Sequence, residues 1–252
     1  MQVRTLLRPL YLLYFVCIGG PLLVLATILC CLVVILSGLL GAPASFISWA
    51  TSIWSRVCLA VSLCPVELRG RENLPSPDAP CVVVANHQGA YDIFALNGHI
   101  GIPFKWVLKA ELRKMPFVGK ACAAAHYIFV DETKPSSIVH TLEDAKRVLA
   151  TGNSIFIFPE GSRTETGRMT RFKKGGFVIA SELDVPILPV SIDGAYDVLP
   201  RGHYLPSPHK IILTIHPAFR MSELAEPPAH IAASARYAQQ TIASVLPRER
   251  KD

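Results

Sequence analysis

Two short stretches carry side chains able to do chemistry. The first is NHQGAYD, residues 86–92, where His87 stands five positions before Asp92 and directly after the apolar run 81–85. A neutral imidazole can take a proton near pH 7, and a carboxylate beside it can fix its tautomer and steady its charged form. The spacing alone is a weak signal, and the chain holds a decoy, since His126 and Asp131 have the same separation. Along an extended strand those two would lie about 17 Å apart on opposite faces, out of contact. NHQGAYD differs because Asn86 and Gly89 suit a tight turn between a buried-type strand and a helix-like stretch at 93–96. Such a turn is compact enough to bring Asp92 to His87 at the carboxyl end of a strand, where open α/β sheets bind their ligands. The bland alternative is a histidine and a helix-start aspartate that make structural hydrogen bonds only.

The second stretch is IFIFPEGSRTETG, residues 155–167, again an apolar strand opening into a polar loop. Pro159 ends the strand, Gly161 lets backbone approach a ligand, and Arg163 offers a planar fork of donors suited to phosphate or carboxylate. Glu160 is placed to orient that arginine or a backbone amide. The loop reads as an anion site; its bland alternative is a surface Glu160–Arg163 pair worth less than ~1 kcal/mol. There is no Walker-type phosphate loop, and Ser162 lacks the G-x-S-x-G frame of a nucleophile elbow.

The elements that must hold these loops are legible from residue 65 onward. Short β-branched runs at 81–85, 127–130, 154–158, 186–192 and 211–216 alternate with helix-like segments such as 137–150 and 175–183. Strands alternating with helices predict an α/β sheet domain, entered through the proline-rich piece 73–80. Residues 248–252 read as a solvated, mobile tail.

Upstream the character changes. No charged residue occurs in the 47 positions between Arg8 and Arg56. As one helix these would run about 70 Å, roughly twice what a ~30 Å hydrocarbon layer needs. Gly19-Gly20-Pro21 and the segment 38–43 are expected to break the run, leaving 22–37 and 44–63 with helical length. The prediction is a hairpin that spans twice or dips into one leaflet. Arg4 and Arg8 before it, and Arg56, Arg69 and Arg71 after it, place both ends on the cytoplasmic side, at the inner membrane in a bacterium. A cleaved signal peptide and a buried hairpin of a soluble protein are the rival readings; the apolar run is far longer than a signal's core. Five of the seven cysteines lie in or beside this segment and none has zinc spacing, so they read as small apolar residues. The expected organisation is a membrane-associated hairpin over residues 1–64, a catalytic domain over 65–247 and the charged tail over 248–252.

NHQGAYD resembles the NH-x4-D signature, FPEGSRT the FPEG-[ST]-R signature, and VPILPV (185–190) the fourth block of the PlsC-like glycerolipid acyltransferases, the lysophosphatidic acid (1-acylglycerol-3-phosphate) acyltransferase family. KAELRKMPFVG (109–119) is similar to that family's K-x-E-L segment and FKKGGF (172–177) to its lysine-glycine turn, and all five blocks keep the family's order over residues 65–220. The resemblance implies a mixed sheet flanked by helices. It implies acyl transfer from acyl-CoA or acyl-carrier protein to the hydroxyl of a lysolipid, giving phosphatidic acid from lysophosphatidic acid, with no cofactor, metal or covalent acyl-enzyme. His87 would be the general base and Asp92 its orienting partner, while Lys109, Glu160, Gly161 and Arg163 would bind the acceptor headgroup. The net charge of +6, with Lys105, Lys109, Arg113, Lys114 and Lys120 in one cluster and Arg168, Arg171, Lys173 and Lys174 in another, suits membrane lipids and CoA phosphates. No stacking pattern or reading motif points to nucleic acid. One departure stands out: Phe129-Val130-Asp131-Glu132 puts a carboxylate where the family commonly has a phosphate-binding arginine. Lys134 would replace that arginine, or the acceptor is a different lysolipid, such as an aminolipid precursor. A thioesterase using the same dyad on water and a non-enzymatic lipid binder are the remaining alternatives.

Overall fold

The computed structural model describes residues 2–76, 79–131 and 137–251. Strands β1 (Val66–Arg69), β2 (Val82–Ala85), β3 (Phe104–Lys109), β4 (Ile128–Val130), β5 (Ser154–Ile157), β6 (Ile187–Asp193) and β7 (Ile211–Ile215) form one sheet in the order β1-β7-β6-β2-β5-β3-β4. Every neighbouring pair is parallel except β6 with β7. The mixed α/β sheet is therefore as expected, and each anticipated strand ends within a residue of its observed bound.

Strand β2 lies at the centre with all four residues buried, because side chains that alternate across a sheet covered on both faces must all be apolar. Val83 and Ala85 face one core with Phe156, Leu188 and Leu213, beneath α4 (Tyr91–His99). Val82 and Val84 face the other with Phe177, Ala238 and Ile242, beneath α6 (Ser137–Ala150), α7 (Gly175–Glu182) and α9 (His230–Val245). Each fully buried Leu, Ile or Phe here contributes on the order of 1.5–3 kcal/mol relative to exposure. Two strands and one long helix lie outside the anticipated elements. β1 is a four-residue edge strand with a polar half, and β3 carries Lys105 among its apolar residues, although that lysine is buried. The buried stripe of α9 is Ser234, Ala235, Ala238 and Ile242, too small and mixed to stand out as periodic hydrophobicity.

The N-terminal part departs from expectation at Gly19-Gly20-Pro21. Helix α1 (Gln2–Tyr14), a π turn at Phe15–Gly19 and α2 (Gly20–Leu39) run on without a break. A proline has no N–H and clashes with the carbonyl four residues before it, but a widened turn relieves both. Here Gly20 N–H bonds to the carbonyl of Phe15, five residues back, and Gly19 and Gly20 keep right-handed helical angles. The apolar helix from Leu7 to Leu39 is thus 33 residues, not the short segment anticipated, and α3 (Ala44–Val61) adds 18. Leu7, Leu10, Leu13, Val16, Val24 and Leu39 lie exposed along the first of these.

The two arms are stitched by polar contacts. Trp54 Nε1 donates to Thr27 Oγ1 at 3.1 Å, Tyr14 OH to the Val61 carbonyl at 3.0 Å and Tyr11 OH to the Ser62 carbonyl at 3.2 Å. Helix α3 then fixes the pair to α4, through Arg56 Nε to the Gly98 carbonyl at 2.7 Å, Asn97 Nδ2 to Ser55 Oγ at 3.0 Å, and the buried hydroxyls of Ser62 and Tyr91 at 2.6 Å. Since Tyr91 precedes Asp92, the hairpin is bonded directly to the element that carries half of the dyad. Replacing Tyr91 by Phe leaves the Ser62 hydroxyl buried without its partner, and should lower unfolding free energy by about 1–3 kcal/mol. Denaturant titration checks this, and adding Ser62→Ala should recover part of the loss.

Candidate active site

His87, Lys109, Glu160, Gly161 and Arg163 lie on loops or strand ends at the carboxyl edge of β2, β3 and β5, and Asp92 in the helix that follows the first of them. Because these strands are adjacent and parallel, in the order β2-β5-β3, their carboxyl ends open on the same edge. The turn after β2 is set first by Asn86, which is buried and makes two bonds to the neighbouring strand: Nδ2 to the Ile192 carbonyl and Oδ1 from the Ile192 amide, both 2.8 Å. Gly89 then passes so close to Ala195 that a Cβ would lie 2.8 Å from its carbonyl oxygen. Asparagine and glycine thus act here by bridging strands and by close approach.

That turn places Asp92 in the first turn of α4, where carboxylates are favoured. Its Oδ2 accepts from His87 Nδ1 at 2.7 Å and from the Gly89 amide at 2.9 Å. The Asp92 side chain is wholly buried, whereas that of His87 is 15 % exposed. A carboxylate oxygen can only accept, so the proton of the neutral ring sits on Nδ1 and the lone pair on Nε2. Nε2 has no hydrogen-bond partner among the described residues, and the ring is free to accept a proton there. Asp92 Oδ1 is also buried without a partner among them. The ring stacks on Phe158 with centroids 3.9 Å apart and planes 9° from parallel, and Phe158 in turn stacks on Trp106 at 5.7 Å. Phe158, just after β5, and Trp106 of β3 thus form a stack of two flat side chains against one face of the imidazole. The decoy is different in kind: His126 is exposed and left-handed, before β4 begins.

Of the two partners anticipated for Glu160, Arg163 or a backbone amide, the structure shows backbone amides. It is buried, its Oε1 accepts from the His87 amide at 2.7 Å, and its Oε2 accepts from both the amide and the hydroxyl of Thr170 at 2.6 Å. Both oxygens are thus engaged inside the protein, tying the histidine's own backbone to the far end of the second loop. Burial pushes its carboxyl up from the usual carboxylate range, opposed by these hydrogen bonds. The Thr164 amide closes the link from the other side, donating to the His87 carbonyl at 2.9 Å. Gly161 sits at φ +78°, a left-handed turn that residues with a side chain adopt only under strain, and its amide bonds to the Phe158 carbonyl. Phe158, Thr164 and Thr170 are the supporting residues that sequence reading did not assign, while Asn86, read as a turn residue, also bridges to β6. Only Thr170, ten positions after Glu160, lay beyond the quoted motifs.

Lys109 is exposed at the end of β3, two strands from β2. Arg163 is half-buried, and its carbonyl accepts from Arg201 at 3.4 Å. Both stand at or beyond the ends of strands that open on the same edge of the sheet as His87. Glu132 and Lys134 lie outside the described residues. Lys105, counted in the first basic cluster, is buried in β3, where its ammonium lies 5.9 Å from the Tyr127 ring centroid and burial pushes its pKa down. In the second cluster Arg171, Lys173 and Lys174 border a groove of about 650 Å³ with Phe172 and Arg236. Phe172 belongs to the core under α7 and α9, so the groove opens on the sheet face opposite α4 and the hairpin.

The carboxylate of Glu160 serves two amides on separate loops, and an amide side chain has one acceptor to offer them. Glu160→Gln is expected to lower unfolding free energy by about 1–3 kcal/mol. Chemical unfolding of the purified protein checks the size of that loss.

Comparison with known proteins agrees with this arrangement. Residues 65–193, which hold both loops, match the family model described as Acyltransferase. The 1-acyl-sn-glycerol-3-phosphate acyltransferase of Pseudomonas aeruginosa is 33% identical over 190 residues, covering 73% of this chain and 72% of the relative. The chloroplastic 1-acyl-sn-glycerol-3-phosphate acyltransferase BAT2 of Brassica napus is 34% identical over 151 residues, covering 59% of this chain and 44% of the relative. The chain spans about half the length of such plant and algal relatives. The crystal structure of the 1-acyl-sn-glycerophosphate acyltransferase PlsC from Thermotoga maritima superposes with a TM-score of 0.77 at 26% identity, over 96% of this chain and 95% of that one. On the strength of the matched domain and a bacterial relative aligned over most of both lengths, the chain belongs to the acyltransferase family.

Proposed function

We propose that the protein transfers a fatty acyl group from a thioester, acyl-CoA or acyl-carrier protein, to the free hydroxyl of a 1-acylglycerol-3-phosphate, giving phosphatidic acid. The observation that carries this reading is the 2.7 Å bond from His87 Nδ1 to the buried Asp92, which leaves Nε2 as a base at a strand end. In the proposed step the acceptor hydroxyl loses its proton to His87 Nε2 as its oxygen attacks the thioester carbon. The C–S bond breaks as the ester C–O bond forms, and the proton passes from the imidazolium to the departing thiolate. Asp92 holds the productive tautomer and stabilises the imidazolium. The acceptor supplies its own nucleophile, so no serine is required.

Lys109 and Arg163 are the cations for the acceptor phosphate, Lys as a point charge and Arg as a two-pronged donor. Gly161 opens the backbone beside them, and Glu160 acts through the amides it holds. The groove beside Arg171, Lys174 and Arg236 suits the anionic part of either donor. The apolar helices would lie in the membrane, with the catalytic domain on the cytoplasmic face, so that a lysolipid reaches His87 without its chain crossing water. A second reading has its own support: Glu132 stands where the resemblance calls for a phosphate-binding arginine, which favours a lysolipid without a phosphomonoester.

A transfer assay on the purified chain with labelled acyl-CoA and acyl-carrier protein, against lysophosphatidic acid and phosphate-free lysolipids, separates the two acceptors. His87→Ala is expected to lower turnover by roughly 10²–10⁴-fold while the chain stays folded: the backbone amide keeps its bond to Glu160, and the lost bond to buried Asp92 costs only about 1–3 kcal/mol of stability. Unchanged turnover would remove His87 from the mechanism, and free fatty acid as the only product would make the protein a thioesterase. Deleting residues 1–56 should release the chain from vesicles in a flotation experiment; persistent binding with full activity would show that the hairpin is not the anchor.

A further inference from the structure

The end of the chain was expected to be a solvated tail, yet the Arg250 side chain is only 13 % exposed. Its guanidinium Nη2 donates to Asp197 Oδ1 at 2.5 Å and lies over the Tyr196 ring at 4.8 Å from the centroid. Its carbonyl accepts from the Met169 amide at 3.0 Å. Gly167 at φ +82° makes the room: a Cβ there would lie 2.2 Å from Arg250 Nη1. The residues gripped by Arg250 also grip the second loop. Tyr196 OH donates to the Glu165 carbonyl at 3.0 Å, and Arg201, a few residues on, pairs with Glu165 at 3.1 Å and donates to the Arg163 carbonyl at 3.4 Å.

From Gly161 to Met169 the loop is therefore tied at both ends by Glu160 and Thr170 and along its outer side by Arg250, Tyr196 and Arg201. The inner side is held by Thr164 to the His87 carbonyl. Arg163 lies within this span. A loop braced from outside by a residue whose planar cation stacks and forms an ion pair, and whose carbonyl accepts an amide, is held in one geometry. The other charged groups facing this corner are Asp193, a half-buried carboxylate at the end of β6 on which Arg250 acts, and His209, 3.9 Å from Asp197.

We propose that Arg250 is a positioning residue for acceptor binding: through Tyr196, Asp197 and Met169 it holds the loop that aims Arg163 at the acceptor's anionic headgroup. The inference rests on the acceptor reading of the loop given above. It predicts an effect mainly on acceptor binding, since the dyad keeps its own bonds from Asn86, Asp92 and Glu160, none of which involves the Arg250 side chain.

The test uses the full chain in detergent with lysophosphatidic acid as acceptor and acyl-CoA as donor. Arg250→Ala is expected to raise KM for the acceptor about tenfold while leaving KM for the donor and the melting temperature within experimental error of wild type. Arg250→Lys, which keeps the charge for Asp197 but loses the planar stack, should recover part of that loss, and Tyr196→Leu should reproduce it. Hydrogen exchange read on the amides of residues 161–169 should speed up in Arg250→Ala while α9 stays protected. Equal increases in both KM values, or a general loss of stability, would reduce Arg250 to a structural role and overturn the proposal. Unchanged exchange over 161–169 would overturn it as well. If the wild-type chain moves no acyl group to any lysolipid, the functional reading falls separately, and the exchange experiment alone decides whether Arg250 braces the loop.

Discussion

The site depends on a carboxylate that need touch no substrate. Glu160 receives the amide of His87 on one oxygen and the amide and hydroxyl of Thr170 on the other. It thereby fastens the turn after β2 to both ends of the loop after β5. A buried carboxylate loses hydration, and it is tolerable here because three donors replace the water. Without that clasp the histidine ring would still have Asp92, but its backbone would be tied to the loop that carries Arg163 by the Thr164 amide alone. Position and tautomer of the imidazole are thus set by different acids, Glu160 for the first and Asp92 for the second.

Around that clasp the fold separates two environments. On one face of the sheet α4 carries Asp92 and is bolted to the apolar hairpin through Arg56, Ser55 and Ser62. On the other, α7 and α9 cover the core and leave a groove bordered by cations. His87 stands at the strand end between them, which is where the parallel strands of an open sheet must leave a crevice. The arrangement suits a reaction whose partners differ in solubility.

Much of this was legible in the sequence, for reasons that differ by residue. The strands around β2 announced themselves because a strand buried on both faces is continuously apolar. The dyad was legible because a strand-to-helix turn brings residues five apart together, whereas His126 and Asp131 border an extended strand. Glu160 was legible as an acid that could hold a backbone amide, but which amides was not: Thr170 is ten residues away, His87 lies on another loop, and no local pattern reveals which acids face inward. Gly19-Gly20-Pro21 read as a break because proline removes a helical hydrogen bond, yet a π turn absorbs the defect. Arg250 read as solvated because its partners Asp197, Tyr196 and Met169 are distant in sequence and meet it only in the fold.

The unbroken helix from Leu7 to Leu39 has a consequence of its own. Its 33 residues make a rod of about 50 Å, while α3, returning with 18, measures only about 27 Å. Arms of such unequal reach cannot both match one ~30 Å layer while standing upright. In a bilayer the longer arm must lean or protrude, and the bonds from Tyr11 and Tyr14 to the end of α3 bring its first turns to the side of the sheet where Ser62 meets Tyr91, at the carboxyl edge. Seated in lipid as proposed, the surplus length would let the thickness of the surrounding layer set how high the catalytic edge rides.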